Sequence, residues 1–181
     1  MGLTLITPAS SWPVTLAEVK TYCAAEDGSF DGLLGDLIKS ACQRIEQLTG
    51  LVLGEQVWKL TLDEFSETIE LPKAPVLAVS AVNYVDALGA AQLASASLYS
   101  LDLTSKTQWV VLNSGTSWPA TRDAVNAVSV TFSAGYLAAT LPDDIKLAVK
   151  ALVVTWFENR GDAGTPKGVI ELLFHRMNFG F

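Results

Sequence analysis

The stretch PDDIKLAVKALVVTWFENR, Pro142 to Arg160, is the most clearly patterned segment of the chain. Ile145, Val149, Leu152, Val153, Trp156 and Phe157 recur at intervals of three and four, the period that places side chains on one face of an α-helix. Pro142 suits a first turn, Asp143 and Asp144 complement the positive end of the helix, and Arg160 complements the negative end. A stripe this complete must pack against something.

The partner that the sequence offers lies more than a hundred residues earlier. Leu33, Leu34, Leu37, Ile38, Ala41, Ile45 and Leu48 form a second broad stripe, with Asp36, Lys39, Gln43 and Glu46 mostly off it. Ser29 is the expected N-cap, Asp31 sits in the first turn and Gly50 supplies the stop. At 1.5 Å per residue this helix is roughly 30 Å long. Leu33, Leu37, Ile38, Ile45, Val149, Leu152, Trp156 and Phe157 are the expected core. A shorter helix precedes it, where Thr15 and Glu18 match a capping box and Leu16, Val19 and Cys23 share a face.

Between the two long helices the period changes. Val57, Trp58, Leu60 and Leu62 begin a strand, with Glu67–Leu71 as its expected short neighbour, closed by Pro72 and Pro75, which cannot donate ladder hydrogen bonds. Val76–Val85 reads as a longer strand ending in the turn Asp86-Ala87-Leu88-Gly89. Tyr99–Leu103, Gln108–Leu112 and Val125–Phe132 complete a set whose short connections favour an antiparallel meander or small open barrel. The predicted fold class is therefore α+β: a small helical bundle core interrupted by an antiparallel β-rich insertion. The boundaries read as 1–53 for the first part of the helical core, 54–136 for the β-rich subdomain, and 137–181 for the closing helix and a partner-binding tail. The leading apolar residues Leu3, Leu5 and Ile6 fit either the body or a neighbouring subunit. Val169–Phe174 fit either a short terminal helix or a segment that orders on docking.

The 181 residues suffice to bury roughly 70% of the unfolded chain's surface without a metal or disulfide. Cys23 and Cys42 read as buried thiols in a reducing compartment. No secretory leader and no bilayer-spanning run is expected. The net charge is −7 and the pI about 4.6, with the basic residues scattered. That argues against a DNA-wrapping surface, which draws its affinity from neutralising phosphates. A channel through which DNA slides is compatible with acidic walls.

The candidate chemistry is thin. Asp27, Ser29 and Asp31 imitate half a calcium loop, but Ile38 stands where a bidentate Glu is needed. His175 is the only histidine; it cannot build a multi-histidine zinc site, and no constellation joins it to either cysteine. Asp143 and Asp144 are explained by the helix start, and Asp63, Glu64 and Glu67 by an acidic turn. The glycines from Gly161 to Gly168 follow a helix and lack the Ser or Thr of a phosphate loop. No catalytic, cofactor-binding or metal-binding residues are assigned, and the chain is expected not to be an enzyme. The five tryptophans are dispersed, and Trp12 and Trp118, each before a proline, fit loop or rim positions.

In order along the chain, Ile6-Thr-Pro8, Val14-Thr-Leu-Ala-Glu-Val19, Ile45-Glu-Gln-Leu-Thr-Gly50, Gln56-Val-Trp-Lys-Leu60, Ile69-Glu-Leu-Pro72, Val82-Asn-Tyr-Val-Asp86 and Leu98-Tyr-Ser-Leu-Asp102 follow one another. Ser117-Trp-Pro-Ala-Thr-Arg122, Val128-Ser-Val-Thr-Phe-Ser-Ala-Gly-Tyr136 and Pro142-Asp-Asp-Ile-Lys146 leading to Trp156-Phe-Glu-Asn-Arg160 are the strongest local signals. This series resembles the tailed-bacteriophage head-tail connector, or adaptor, proteins of the gp6-like group, in particular longer members with an inserted β region. The resemblance implies a virion protein of the neck that binds the portal and a stopper or tail-completion protein. It implies self-association into a cyclic ring, dodecameric in the virion and compatible with a free monomer, with DNA only as non-specific passage through the lumen. It also implies assembly in the host cytoplasm and no membrane partner. The expected interface residues are Trp12, Trp118, Arg122, Asn159, Arg160, Phe174, Met177, Phe179 and Phe181. A tail-terminator or other neck component, and a small intracellular enzyme, are the competing readings.

Overall fold

A computed structural model describes residues 1–24, 27–105, 107–159 and 164–176. The fold is mixed α+β, a small helical core with an antiparallel β-rich insertion. The chain divides into two compact units, one of Met1–Ala9 with Glu55–Gly135 and one of Ser10–Gly54 with Tyr136–Phe181.

The helical unit contains α1 (Leu16–Cys23), α2 (Asp31–Thr49), α3 (Asp143–Asn159) and α4 (Lys167–Leu173). The capping box at α1 forms as expected. The Thr15 N–H donates to Glu18 Oε2 at 2.8 Å, and the Glu18 N–H donates to Thr15 Oγ1 at 3.2 Å. The start of α2 differs from the expectation. Asp27, not Ser29, is the cap: its carboxylate accepts the Ser29 N–H at 3.1 Å and opens a 3₁₀ turn over Gly28–Phe30 that runs into α2. Asp accepts the orphan amide at the start of the tighter turn, and Ser29 becomes part of that turn. Gly50 ends α2 at φ +74°, a conformation that favours glycine.

The α2 and α3 stripes meet as predicted. Leu34, Ile38, Ala41, Cys42 and Ile45 are buried with Ile145, Ala148, Val149, Leu152 and Val153, and Val14, Val19, Leu53, Val169 and Leu173 close the cluster. Leu37, Trp156 and Phe157 pack on it half-buried. Leu33 does not belong to the core: it is 49% exposed. Cys42 takes the inward place instead, because the 3.6-residue period rotates the stripe toward positions 34, 38, 41, 42, 45 and 49.

The β unit holds two antiparallel sheets. The larger has β1 (Gly2–Thr7), β2 (Gln56–Leu62), β8 (Val128–Ala134), β4 (Val76–Val85) and β5 (Ala91–Leu93) in the order β1-β2-β8-β4-β5. The smaller has β3 (Thr68–Leu71), β7 (Gln108–Leu112) and β6 (Tyr99–Asp102) in the order β3-β7-β6. A meander is therefore not what forms. The neighbours of β2 are β1 and β8, and β3 pairs with β7 instead of β2. The reason lies in the apolar rows: Leu60, Val130 and Val82 stand opposite one another and are wholly buried, so the three strongest alternating strands select each other across long loops. The turn at Asp86 forms as read, with the Gly89 N–H donating to the Asp86 carbonyl at 2.9 Å, and it leads into the short β5.

Candidate interface surfaces

In the β unit, Trp118 is the organising side chain. Its ring stacks on Phe65 with centroids 4.3 Å apart and planes within 2°, and lies 5.9 Å from Tyr99; Phe65 in turn touches Tyr84 at 5.8 Å. The Trp118 indole N–H donates to the Ser66 carbonyl at 2.9 Å. A half-buried Trp with its N–H satisfied and two aromatic rings stacked with it acts as a clamp. It fixes the segment Ser117–Arg122, whose far end is tied where the Arg122 N–H meets the Val85 carbonyl at 2.9 Å. The exposed Arg122 guanidinium lies over the Asp86–Gly89 turn, where a Cβ on Gly89 would stand 3.0 Å from Nη1. Asp86 holds that turn by accepting the Leu88 and Ala90 N–H groups and the Gln92 amide, each at 2.9 Å. The Gln92 amide first, and then the Ala90 N–H, keep the Asp86 carboxyl below its ordinary range.

Beside this turn runs a groove of about 490 Å³ lined by Lys59, Tyr84, Gln92, Leu93, Asn126 and Ser129 among others. Asn126 stands at φ +60° and donates its N–H to Asp63 Oδ1 at 2.8 Å. The lining holds one ammonium, amides, a serine hydroxyl and the Tyr84 phenol, with no carboxylate, imidazole or thiol.

In the helical unit Trp12 packs half-buried against the core. Asn159, exposed at the end of α3, donates its amide to the Thr155 carbonyl at 2.8 Å. Phe174, in the turn after α4, is 61% exposed. That turn is held to the start of α3 by Arg176, which donates Nε to Asp144 Oδ2 at 2.6 Å and Nη2 to Oδ1 at 3.2 Å. Burial alone would raise the Asp144 carboxyl, but the Arg176 hydrogen bonds and charge outweigh it and hold the carboxyl low. His175 Nε2 is 3.3 Å from the same carboxylate. Arg160, Met177, Phe179 and Phe181, also expected at an interface, lie outside the described residues.

The thiols are not poised for catalysis. Burial, and then the Glu46 charge, push the Cys42 thiol far up, and burial with Glu158 raises that of Cys23. Both cysteines are free; Cys42 is buried as expected, whereas Cys23, at the end of α1, is only half-buried. No group of three potential metal ligands occurs among the described residues, so the Asp27-Ser29-Asp31 series serves the α2 start and gathers no ligand set. None of the helices among the described residues is long and apolar enough to cross a membrane.

Two features escaped the sequence reading: the residues of β1 as a strand of the large sheet, and the Phe65-Trp118-Tyr99 stack. The alternation of Leu3 and Leu5 is a signal for the first. Nothing local announces the second, which unites residues from three separate segments.

The chain matches no family model and no curated protein. It is similar to solved structures over almost its whole length. Against a chain of the structure described as "Neck of empty GTA particle computed with C6 symmetry", the TM-score is 0.80 at 26% identity, covering 98% of this chain and 95% of that one. Against a chain of "Virion of native gene transfer agent (GTA) particle" it is 0.78 at 27% identity with the same coverage. Against a chain of "Neck of native GTA particle computed with C12 symmetry" it is 0.73 at 26% identity, again covering 98% and 95%. This likeness is consistent with a non-enzymatic role. Similarity of this extent makes the chain a structural component of the neck or connector type in a virion-like particle.

Proposed function

We propose that the chain is the adaptor subunit of the neck, forming a ring between the portal and the stopper or tail-completion protein and leaving a lumen for genomic DNA. The observation that carries this reading is the full-length likeness to chains of neck structures computed with C6 and C12 symmetry. Cyclic symmetry with many copies is what a ring adaptor requires, because a moderate contact repeated around a closed ring gives multivalent attachment without any catalytic residue. The gp6-like resemblance of the sequence motifs supports the same role.

In this reading residues 54–136 form a subdomain inserted between 1–53 and 137–181 that presents loops to the next neck component. Trp12, Trp118, Arg122, Asn159, Arg160, Phe174, Met177, Phe179 and Phe181 are the proposed contact residues. The exposure of Arg122, Asn159 and Phe174 supports their inclusion. Trp118 contributes by stiffening the segment that carries Arg122. Assembly takes place in the host cytoplasm, with twelve copies in the finished virion, and the acidic balance of −7 favours a wall that releases DNA.

Cryo-electron microscopy of the protein mixed with its cognate portal tests this. A closed ring at the narrow end of the portal is the expected result. Attachment to a tail tube without portal binding would reassign the chain to the tail-terminator position.

A further inference from the structure

The two sheets of the β unit have four outer strands, β1 and β5 in the larger and β3 and β6 in the smaller. Open edges are hazards that proteins guard, because each offers a row of unpaired N–H and C=O groups to any passing strand. Three of the four are guarded. Strand β5 is only three residues long. Strand β3 carries Glu70, with Glu67 just before it and Pro72 just after, and β6 ends on Asp102.

Strand β1 is the least guarded of the four: Pro8 follows it as Pro72 follows β3, and its pairing with β2 shifts register between Leu5 and Thr7, but nothing within it repels an incoming strand. It is six residues, Gly-Leu-Thr-Leu-Ile-Thr, with no charge and no proline. Leu3, Leu5 and Ile6 are 36%, 42% and 52% exposed. Leu3 lies opposite Leu60, which continues through Val130 to Val82; Leu5 lies opposite Trp58, which continues through Phe132 to Val79. Both are apolar rows of the sheet's buried face, and among the described residues both stop abruptly at β1.

We infer that β1 is the strand-accepting edge of a subunit contact, and that the strand it accepts comes from a second copy of this chain. The inference rests on the ring reading above, which supplies the occupant. A ring of more than two copies closes only by head-to-tail contacts, in which one patch meets a different patch of the next copy. Pairing β1 with another β1 would stop at a two-fold dimer, so the neighbour contributes a different strand. Main-chain hydrogen bonds then give the affinity, and apolar side chains at alternate positions of the incoming strand extend the Leu3 and Leu5 rows.

The test uses full-length protein assembled on its portal, with Leu5 replaced by a photo-reactive benzoylphenylalanine in one sample and the variant Leu5→Lys in another. The expected results are a cross-link between two copies of the chain, and ring formation by L5K weakened by about tenfold or more while its thermal melt stays near that of wild type. A control variant, Leu5→Val, keeps the strand character and assembles as wild type. A cross-link only to the portal, or L5K rings that form as readily as wild type, overturns the edge inference and leaves the ring reading standing. Failure of the wild-type chain to form any ring on the portal overturns both.

Discussion

Glu18 holds several roles in one side chain. It closes the capping box of α1 and lies 3.2 Å from Lys146 and 3.8 Å from Lys150 of α3. The Thr15 backbone and hydroxyl hydrogen bonds, followed by Lys146, lower its carboxyl from the ordinary 4.5 to about 2. A depressed carboxyl stabilises the folded state fully above its unfolded value and loses that contribution as pH falls through the folded one. Stability should therefore decline between pH 4.5 and about 2, and Glu18→Gln should flatten thermal melts across that window. Glu18→Ala, which also removes the carboxylate half of the capping box while the Thr15 cap remains, should cost about 1 kcal/mol at neutral pH, read by denaturant unfolding. The thiols give a second prediction at this scale. Cys42 is buried in the helical core, so a thiol reagent should label only Cys23 in the native protein and both cysteines in denaturant.

At the scale of elements, the long helices were legible because their signal is periodic and their termini are chemically marked. The Thr15–Glu18 box, the Gly50 stop and the Pro142-Asp143-Asp144 start were readable from a few residues each. The exact face of α2 was not, since a stripe of seven apolar positions spans more of the helix than the core can receive. Leu33 fell outside, while Cys42, read as a buried thiol, took an inward place. Ile45→Ala should accordingly destabilise by about 2–5 kcal/mol, whereas Leu33→Ala should stay within about 0.5 kcal/mol, both measured by chemical denaturation. Equal losses at the two positions would contradict this rotation of the helix. The strands were legible as strands for β2, β4 and β7, while their partners were not, because alternation assigns a strand its faces but not its neighbours.

For the whole molecule, composition made a statement that no single residue makes. An acidic chain with scattered Lys and Arg has little with which to displace the counterions of a duplex. The purified protein should leave the gel mobility of double-stranded DNA unchanged at physiological salt. A shift that weakens steeply with added salt would point to a basic surface assembled in three dimensions and would count against passive passage. The candidate contact residues were only partly legible. Trp118 was singled out by its proline-containing loop, yet the structure gives it two aromatic neighbours and a carbonyl partner within its own unit.

By itself the sequence determined that two amphipathic helices must pack together and that a β-rich segment lies between them in the chain, because helical period, capping residues and β alternation are local properties that each segment carries alone. It also pointed to the neck-protein class through motifs in order along the chain. Only the tertiary structure decided which strands pair, which edge is left bare, and which aromatic rings stack. Those outcomes depend on contacts between residues 50 or more positions apart, such as Leu3 with Leu60 and Ser66 with Trp118, and on which of several similar apolar rows buries best.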